Sequence, residues 1–507
     1  MSLARIATRA AAWTIGLSVS SRLVGVVGTL VLTRFLAPAE YGEVSVAVIL
    51  VATVNEITAF GLLMYLPPHP HAGREMTFHV SFYTLVVGLL ALGALLVVPL
   101  PFGAWFGAPG MGRFIPGMVV AAALQRVAAV PERMLLRDLR NARIGVSRAL
   151  GELSYTGVAL LLAAQGLGGQ AIVIANIVRF AIYLVVASLG TGYREWLQPC
   201  RLSWTKTKRL LKFSTPMWVC ALSNFAARRW DNLLVSAFLG ARTVGLYNLA
   251  YNLADIPATH VGEHVGDVLL PSLARLGPEA RRDVLARVTG LLGLVVFPLA
   301  VGLGVTAQTL THALLNAEWA PLAPMLTVLA VLSVVRPIGW TTGSYLQATE
   351  RTFVLMGLEI FKLGMLLAAI RVLAPFGALP ACAAVGVAFG AHAVVGLFYL
   401  HRYERIPAGR MLGAIARPLL ACVPMVAAVL GVRWLLQVLG LGGGLLGLGS
   451  EILAGGLSFV PAALWLAPEA THALVRLLRD ALRHSERLSL PGEEPDPASI
   501  QHPTGAV

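Results

Sequence analysis

The sequence predicts an all-α polytopic membrane protein of about 14 transmembrane helices, built as two related halves with two further helices behind them. Three observations predict it. Of the 507 residues, 57% are hydrophobic and 13% charged, and the mean hydropathy is +0.76, outside the usual soluble range. Apolar runs of about 20 residues recur along the chain, the length that crosses about 30 Å of hydrocarbon at 1.5 Å per residue. One phrase also occurs twice, 203 residues apart: FLAPAEYGEVSVA at Phe35–Ala47 and FLGARTVGLYNLA at Phe238–Ala250. Both have Phe-Leu, then Gly seven places on, then Ala. Duplicated membrane helices with charges in corresponding places are the plan of a transporter made of two halves.

The elements follow in order. Span one, about 12–34, follows Arg5 and Arg9, carries Arg22 and ends at the first phrase. Span two, about 43–66, is interrupted by Asn55 and Glu56 and closes at Pro67-Pro68. Spans three to six, about 79–101, 114–132, 144–165 and 169–190, are set apart by Pro/Gly clusters and by the arginines from Arg133 to Arg143. Spans seven and eight, about 213–237 and 243–270, flank the second phrase; spans nine to twelve are about 288–312, 321–346, 352–372 and 376–400. Spans thirteen and fourteen, about 411–433 and 444–466, are parted by GLGGGLLGLGS. In lipid every backbone polar group needs an internal partner, so spans of this length are helices.

Charge placement supports this count. Of the 39 Lys and Arg residues, 25 fall on the side of the N-terminus, in the N-terminal segment, the connections after the even-numbered spans and the tail, and the opposite side holds Arg34, Arg113, Arg242, Arg371 and Arg433. The asymmetry predicts both termini on the cytoplasmic side of the cell inner membrane. The net charge of +14 is then a topology signal rather than a nucleic-acid footprint. The small-residue run Ala10–Ala12 precedes the first apolar span, the reverse of a cleavable signal's order. Cys200, Cys220, Cys382 and Cys422 lie without metal or redox spacing and read as small apolar fillers. No metal, cofactor or covalent-catalysis constellation is evident, so a carrier rather than an enzyme is expected. Organisation follows: residues 1–192 as a first six-helix unit, 193–212 as a basic cytoplasmic linker, 213–403 as the second unit, 404–467 as two extra helices, and 468–507 as an amphipathic helix and polar tail.

Nine cationic residues remain inside the spans: Arg22, Arg126, Arg148, Arg179, Arg228, Arg229, Arg336, Lys362 and Arg417. Each costs about 2.5–3.5 kcal/mol at mid-membrane unless it snorkels or finds a partner. Arg148 and Arg417 lie near basic loops and are expected to snorkel; Arg126 and Lys362 are expected to pair with Glu132 or Glu359. Arg22 and the Arg228-Arg229-Trp230-Asp231 cluster sit near the middle of the first helix of each half. Asp231 lies three residues from Arg228, on its face, and is expected to neutralise it. The bland account is an intrahelical pair; the functional one is a cavity lined with cations for an anionic headgroup. On span eight, Asn248, Asn252, Asp255, Thr259 and Glu263 step by 4, 3, 4 and 4, a polar stripe on one helix face. It suits sugar hydroxyls, a proton or sodium site, or interhelical glue. His392, alone in span twelve, reads as a packing residue.

LTRFLAPAEYGEVSVA, WDNLLVSAFLGARTVGLYNLAYNLADIP and PSLARL (Pro271–Leu276) resemble the polysaccharide-transporter branch, with its Wzx-type flippases, of the multidrug/oligosaccharidyl-lipid/polysaccharide exporter superfamily. The resemblance covers roughly residues 5–400. It implies two six-helix lobes around a central cavity lined by spans one, two, seven and eight. It further implies alternating-access translocation of a polyprenyl-diphosphate-linked oligosaccharide, with a proton or sodium gradient for coupling and a polysaccharide polymerase as neighbour. The candidate substrate residues are then Arg22, Asn55, Glu56, Arg228, Arg229, Asp231, Asn248 and Asn252, and the candidates for ion coupling are Asp255, Glu56 and Glu263. A lipid II-type precursor flippase and a multidrug/cation antiporter of the same superfamily are the alternatives.

Overall fold

The computed structural model describes residues 24–479 apart from 26, 70–72, 98–100, 139, 192–195, 275, 441–443, 477 and 478; for 141, 257–272, 274 and 278 it describes the backbone alone. The described residues are helical, without strands. Residues 27–32 end helix α1. There follow α2 (Pro38–Ile57), α3 (Arg74–Val97), α4 (Ile115–Arg137), α5 (Asn141–Ala164) and α6 (Gln170–Leu189). One unbroken assignment, Trp204–Ala274, contains a residue outside helical geometry, Gly240 at φ 78° and ψ 172°; its limbs are α7 (204–239) and α8 (241–274). Then come α9 (Pro278–Leu314), α10 (Leu322–Ala348, through a 3₁₀ turn at Ser333–Val335), α11 (Thr352–Leu373), α12 (Ala378–Tyr403), α13 (Ala408–Val438) and α14 (Gly444–Leu466). Among the described residues nine helices are long and apolar enough to cross a membrane, with α7 and the start of α8 taken as one.

The α7–α8 limb is folded back on itself. Sixteen residues of straight helix span about 24 Å, yet Tyr247 Oη donates to Asp231 Oδ2 at 2.8 Å. Only a hairpin at Gly240 permits that bond. A positive φ is open to glycine without steric cost, and the freed amide of Ala241 donates to Gly107 O at 3.1 Å. The basic residues Lys206–Lys212, expected in a linker, form the first turns of α7, and this end is pinned to α3: Ser203 N donates to His79 Nε2 at 2.8 Å and Lys206 pairs with Glu75.

The two copies of the repeated phrase touch each other. Pro38 and Gly42 start α2; Ala241 and Gly245, their counterparts 203 residues on, start α8. A Cβ added to Gly42 would fall inside the carbonyl oxygen of Ala241, and one added to Gly245 inside that of Pro38. Each added Cβ would also lie 3.0 Å from the other glycine's backbone nitrogen. The contact is reciprocal, so a pseudo-two-fold axis passes between the glycines. The flanking loops repeat the exchange: Ser236 Oγ donates to Phe106 O at 2.6 Å, while Trp319 Nε1 donates to Leu36 O at 3.1 Å. Each half clasps the other's turn at the end of the molecule opposite the basic loops.

Helices α13 and α14 are held by a buried ion pair. Arg433 bonds both carboxylate oxygens of Glu451 at 2.8 Å and donates to Val305 O of α9 at 2.6 Å, while Thr309 Oγ1 donates to Glu451 at 2.7 Å. Removing one member leaves the other charge uncompensated, at a cost of about 3–5 kcal/mol. Glu451→Ala is therefore expected to lower the thermal midpoint of the purified protein clearly, and Arg433→Met with Glu451→Met to restore most of it. A Glu451→Ala protein that melts like wild type rejects this anchor.

Candidate functional site

A cavity of about 820 Å³ lies among α7, α8, α10, α11 and α12, with Met64 reaching in after α2. Its orientation follows from chain direction. Pro216 and Met217 stand early in α7, Phe353 opens α11 just after Arg351, and Gln347 ends α10, so the mouth faces the basic-loop end. Arg228, Tyr251, Lys362 and Phe389 lie deeper; from Phe353 to Lys362 α11 rises about 13 Å. The mouth is apolar, with Met64, Met217, Phe353, Leu355 and Met356, and the floor is polar.

The floor is a network of paired charges. Arg336, mid-α10, pairs with Asp255 of α8, and its guanidinium lies 4.7 Å from the Phe389 ring and 5.4 Å from that of Tyr251. Lys362 pairs with Glu359 three residues earlier on α11 and also approaches Phe389, at 5.5 Å. His392 Nε2, buried on α12, is 3.8 Å from the second oxygen of Glu359 and has no hydrogen-bond partner among the described residues. Arg228 adds a third cation to the lining. Ion pairs and cations on aromatic faces make buried charge tolerable.

Of the residues expected from sequence, Arg228 and Asp255 line this cavity. Arg22 lies outside the described residues, as does the side chain of Glu263. Asp231 is not a cavity residue: it is fully buried, with its hydrogen bonds to Tyr247 and to Asn232 N and Nδ2, and so closes the hairpin from within. Asn248 and Asn252 bond each other at 2.5 Å, one turn apart on α8 as the stripe predicts, and do not belong to the lining. Arg229 is exposed on α7 and outside the lining. The expected pairing of Arg126 with Glu132 or Glu359 is replaced by a different lock. Arg126 Nε donates to Asn55 Oδ1 at 2.8 Å and its Nη atoms donate to Asn55 O, to Thr58 O at 3.3 Å and to Thr58 Oγ1 at 2.9 Å. Asn55 is thereby turned to α4, and half-buried Glu56 beside it is also outside the lining. Glu132 instead accepts from Arg148, at 2.6 Å. Among the described residues α2 itself gives this cavity no side chain; spans seven and eight line it, and span two reaches it only through Met64 beyond the end of α2.

Sequence reasoning missed Arg336, Glu359, Lys362, Phe389 and His392 as one site. Attention to the phrase drew it to spans one, two, seven and eight. The overlooked signal is that spans ten to twelve bring four titratable residues to mid-helix, whereas the corresponding spans four to six hold their cations on partners within the first half, Arg179 on Glu152 and Arg126 on Asn55.

Comparisons with known proteins agree with this architecture. Residues 31–324, more than half of the chain, match the model of the family described as polysaccharide biosynthesis protein. The succinoglycan biosynthesis transport protein ExoT of Rhizobium meliloti is 26% identical over 59% of this chain and 61% of its own length. The lipopolysaccharide biosynthesis protein WzxC of Escherichia coli is 22% identical over 68% of this chain and 70% of its own. The chain thus spans less than two thirds of the first of these relatives. Among solved structures, the lipid II flippase MurJ in an inward closed conformation aligns with a TM-score of 0.69 at 13% identity over 89% of this chain and 98% of its own. An inward-facing multidrug resistance MATE family transporter aligns at 0.57 and 14%, over 78% and 98%. At these identities the structures share the fold. The chain belongs to the polysaccharide biosynthesis protein family.

Proposed function

We propose that this protein is a flippase that carries a polyprenyl-diphosphate-linked oligosaccharide across the cell inner membrane, for assembly of a surface polysaccharide. The observation that carries the reading is the cavity with a charged, aromatic floor and an apolar mouth, open toward the basic loops and closed by the reciprocal clasp opposite. With fourteen spans and both termini cytoplasmic, that mouth faces the cytoplasm, where lipid-linked glycans are made. Cations in a low-dielectric site suit a diphosphate, paired carboxylates and amides suit sugar hydroxyls, and the polyprenyl tail stays in lipid. A cationic drug fits less well, because Arg228, Arg336 and Lys362 outnumber Asp255 and Glu359 in the lining. Asp255 remains the best-placed group for ion coupling, with Glu56 and Glu263 as further candidates, and a polysaccharide polymerase is the natural recipient of the product.

Reconstitution tests the reading. Proteoliposomes loaded with a fluorescent polyprenyl-diphosphate oligosaccharide should expose it to a quencher at a rate at least tenfold above empty vesicles. Arg228→Ala and Arg336→Ala should each remove most of that rate, and Asp255→Asn should slow it and blunt its response to an imposed proton or sodium gradient. Background flipping by wild-type protein excludes the function. A rate indifferent to both gradients excludes the coupling alone.

A further inference from the structure

On the flippase reading, one corner of the cavity has a more specific role. We propose that Lys362, Arg336 and His392 form a pyrophosphate-binding site in the second lobe, and that occupying it takes up one proton on His392. The observation is that one carboxylate is shared. Glu359 holds Lys362 through Oε2 and faces His392 Nε2 through Oε1, at 3.8 Å. His392 is 5% exposed, lines the cavity, and its Nε2 has no hydrogen-bond partner among the described residues. A buried imidazole nitrogen left unbonded is costly and calls for a ligand or a proton.

The chemistry follows from which partner Glu359 holds. With His392 neutral, Glu359 neutralises Lys362 and the corner offers an incoming anion little beyond Arg336, itself engaged with Asp255. When Nε2 accepts a proton from solvent at the mouth, the imidazolium competes for Glu359 and Lys362 is released toward the anion. The step is a proton transfer alone: one O–H bond of solvent hydronium breaks as one N–H bond forms on the imidazole, which becomes a cation. Helix α12 packs against α10, α11, α13 and the α7–α8 hairpin. These bring to the lining Arg336 from α10, Glu359 and Lys362 from α11, and Cys220, Arg228, Tyr251 and Asp255 from the hairpin, while α13 brings none. An anion among these cations favours the protonated imidazole, and by linkage the protonated imidazole favours the anion. Affinity therefore rises as pH falls, by up to about tenfold per pH unit for one linked proton.

The test measures binding of farnesyl diphosphate and of inorganic pyrophosphate to the full chain in detergent micelles, from pH 8 to pH 6. His392→Gln should lose the part of the pH slope that exceeds the ligand's own titration. Glu359→Gln, which frees Lys362 permanently, should bind about tenfold more tightly at pH 8 and show the same reduced slope. Lys362→Met should bind weakly throughout. Because Glu359→Gln predicts a gain, misfolding cannot imitate it. Preference for farnesyl diphosphate identifies a lipid headgroup as the natural ligand, and equal binding of pyrophosphate a free anion; either supports the site. A His392→Gln slope equal to wild type, or no gain in Glu359→Gln, overturns the inference while the flipping assay still stands. No binding of either probe at any pH also overturns it, and the flipping assay then decides the broader reading separately.

Discussion

Gly42→Leu is expected to leave the end opposite the basic loops open and, on the proposed flippase reading, to abolish glycan export. The side chain would have to occupy the space taken by the Ala241 carbonyl, and the two helix starts are tied in place by the bonds from Ala241 N to Gly107 O and from Trp319 Nε1 to Leu36 O. Overpacking of this kind costs about 1–3 kcal/mol or more, and here the cost falls only on the sealed state. Each 1.4 kcal/mol moves a two-state balance tenfold, so the ratio of sealed to open molecules drops by about 5- to 150-fold. Gly245→Leu should behave alike, since its contact is the mirror of the first. The readout is a cysteine at Tyr41, in a background with Cys200, Cys220, Cys382 and Cys422 replaced, labelled with an impermeant maleimide from the side opposite the basic loops. Labelling should rise sharply in both leucine variants. Normal export with unchanged labelling would mean that the crossing opens and closes without this contact.

Arg126→Met is expected to destabilise the protein more than any other single cation removed from the first lobe. Arg126 is 3% exposed, and its guanidinium reaches Asn55 and Thr58, where α2 ends and the chain turns. Its loss strands the Asn55 side-chain oxygen and the Thr58 carbonyl, while the Thr58 hydroxyl keeps its bond to Val54 O, and it loosens the packing at Gly88, where a Cβ would lie 2.6 Å from the guanidinium carbon. By analogy with other buried charge networks the cost is about 3–5 kcal/mol. Arg126→Lys should recover little, because a single ammonium cannot span both residues as the fork does. Arg229→Ala, on an exposed position of α7, should stay within about 0.5 kcal/mol of wild type. Denaturation of the three variants in micelles checks the ranking, and an Arg126→Met protein as stable as Arg229→Ala would refute it.

How much of this could be read in the sequence depends on the range of the interaction. Helix positions were legible, because a span is a local property: apolar length, a Pro or Gly at each end and a basic loop to fix its side. The stripe on span eight was legible for the same reason, since Asn248 and Asn252 bond along one helix face. The hairpin at Gly240 was half visible, as a glycine between two apolar runs. Partner choice was not. Arg126 stands six residues from Glu132 but turns to Asn55, 71 positions away, and Asp231 prefers Tyr247 across the hairpin to Arg228 one turn back. Such choices are set by which helices pack together. The cavity floor shows the same limit: Asp255, Arg336, Glu359 and His392 come from four helices, and in sequence each looks like an isolated cost. The Lys362–Glu359 pair, three residues apart, was the one part of the floor a local rule could find.

The crossing of α2 and α8 has a mechanical consequence. Two backbones meet there with no side chain between them, and dispersion contacts lose a quarter to a half of their strength once a gap of about 0.5–1 Å opens. A joint of that kind behaves as a catch rather than a spring. It resists until the first fraction of an ångström and then offers almost nothing, so intermediate degrees of opening gain no support from it. The same property makes the joint insensitive to what is being carried. It reads neither charge nor shape, and any preference among substrates has to be exercised in the cavity before the catch is released.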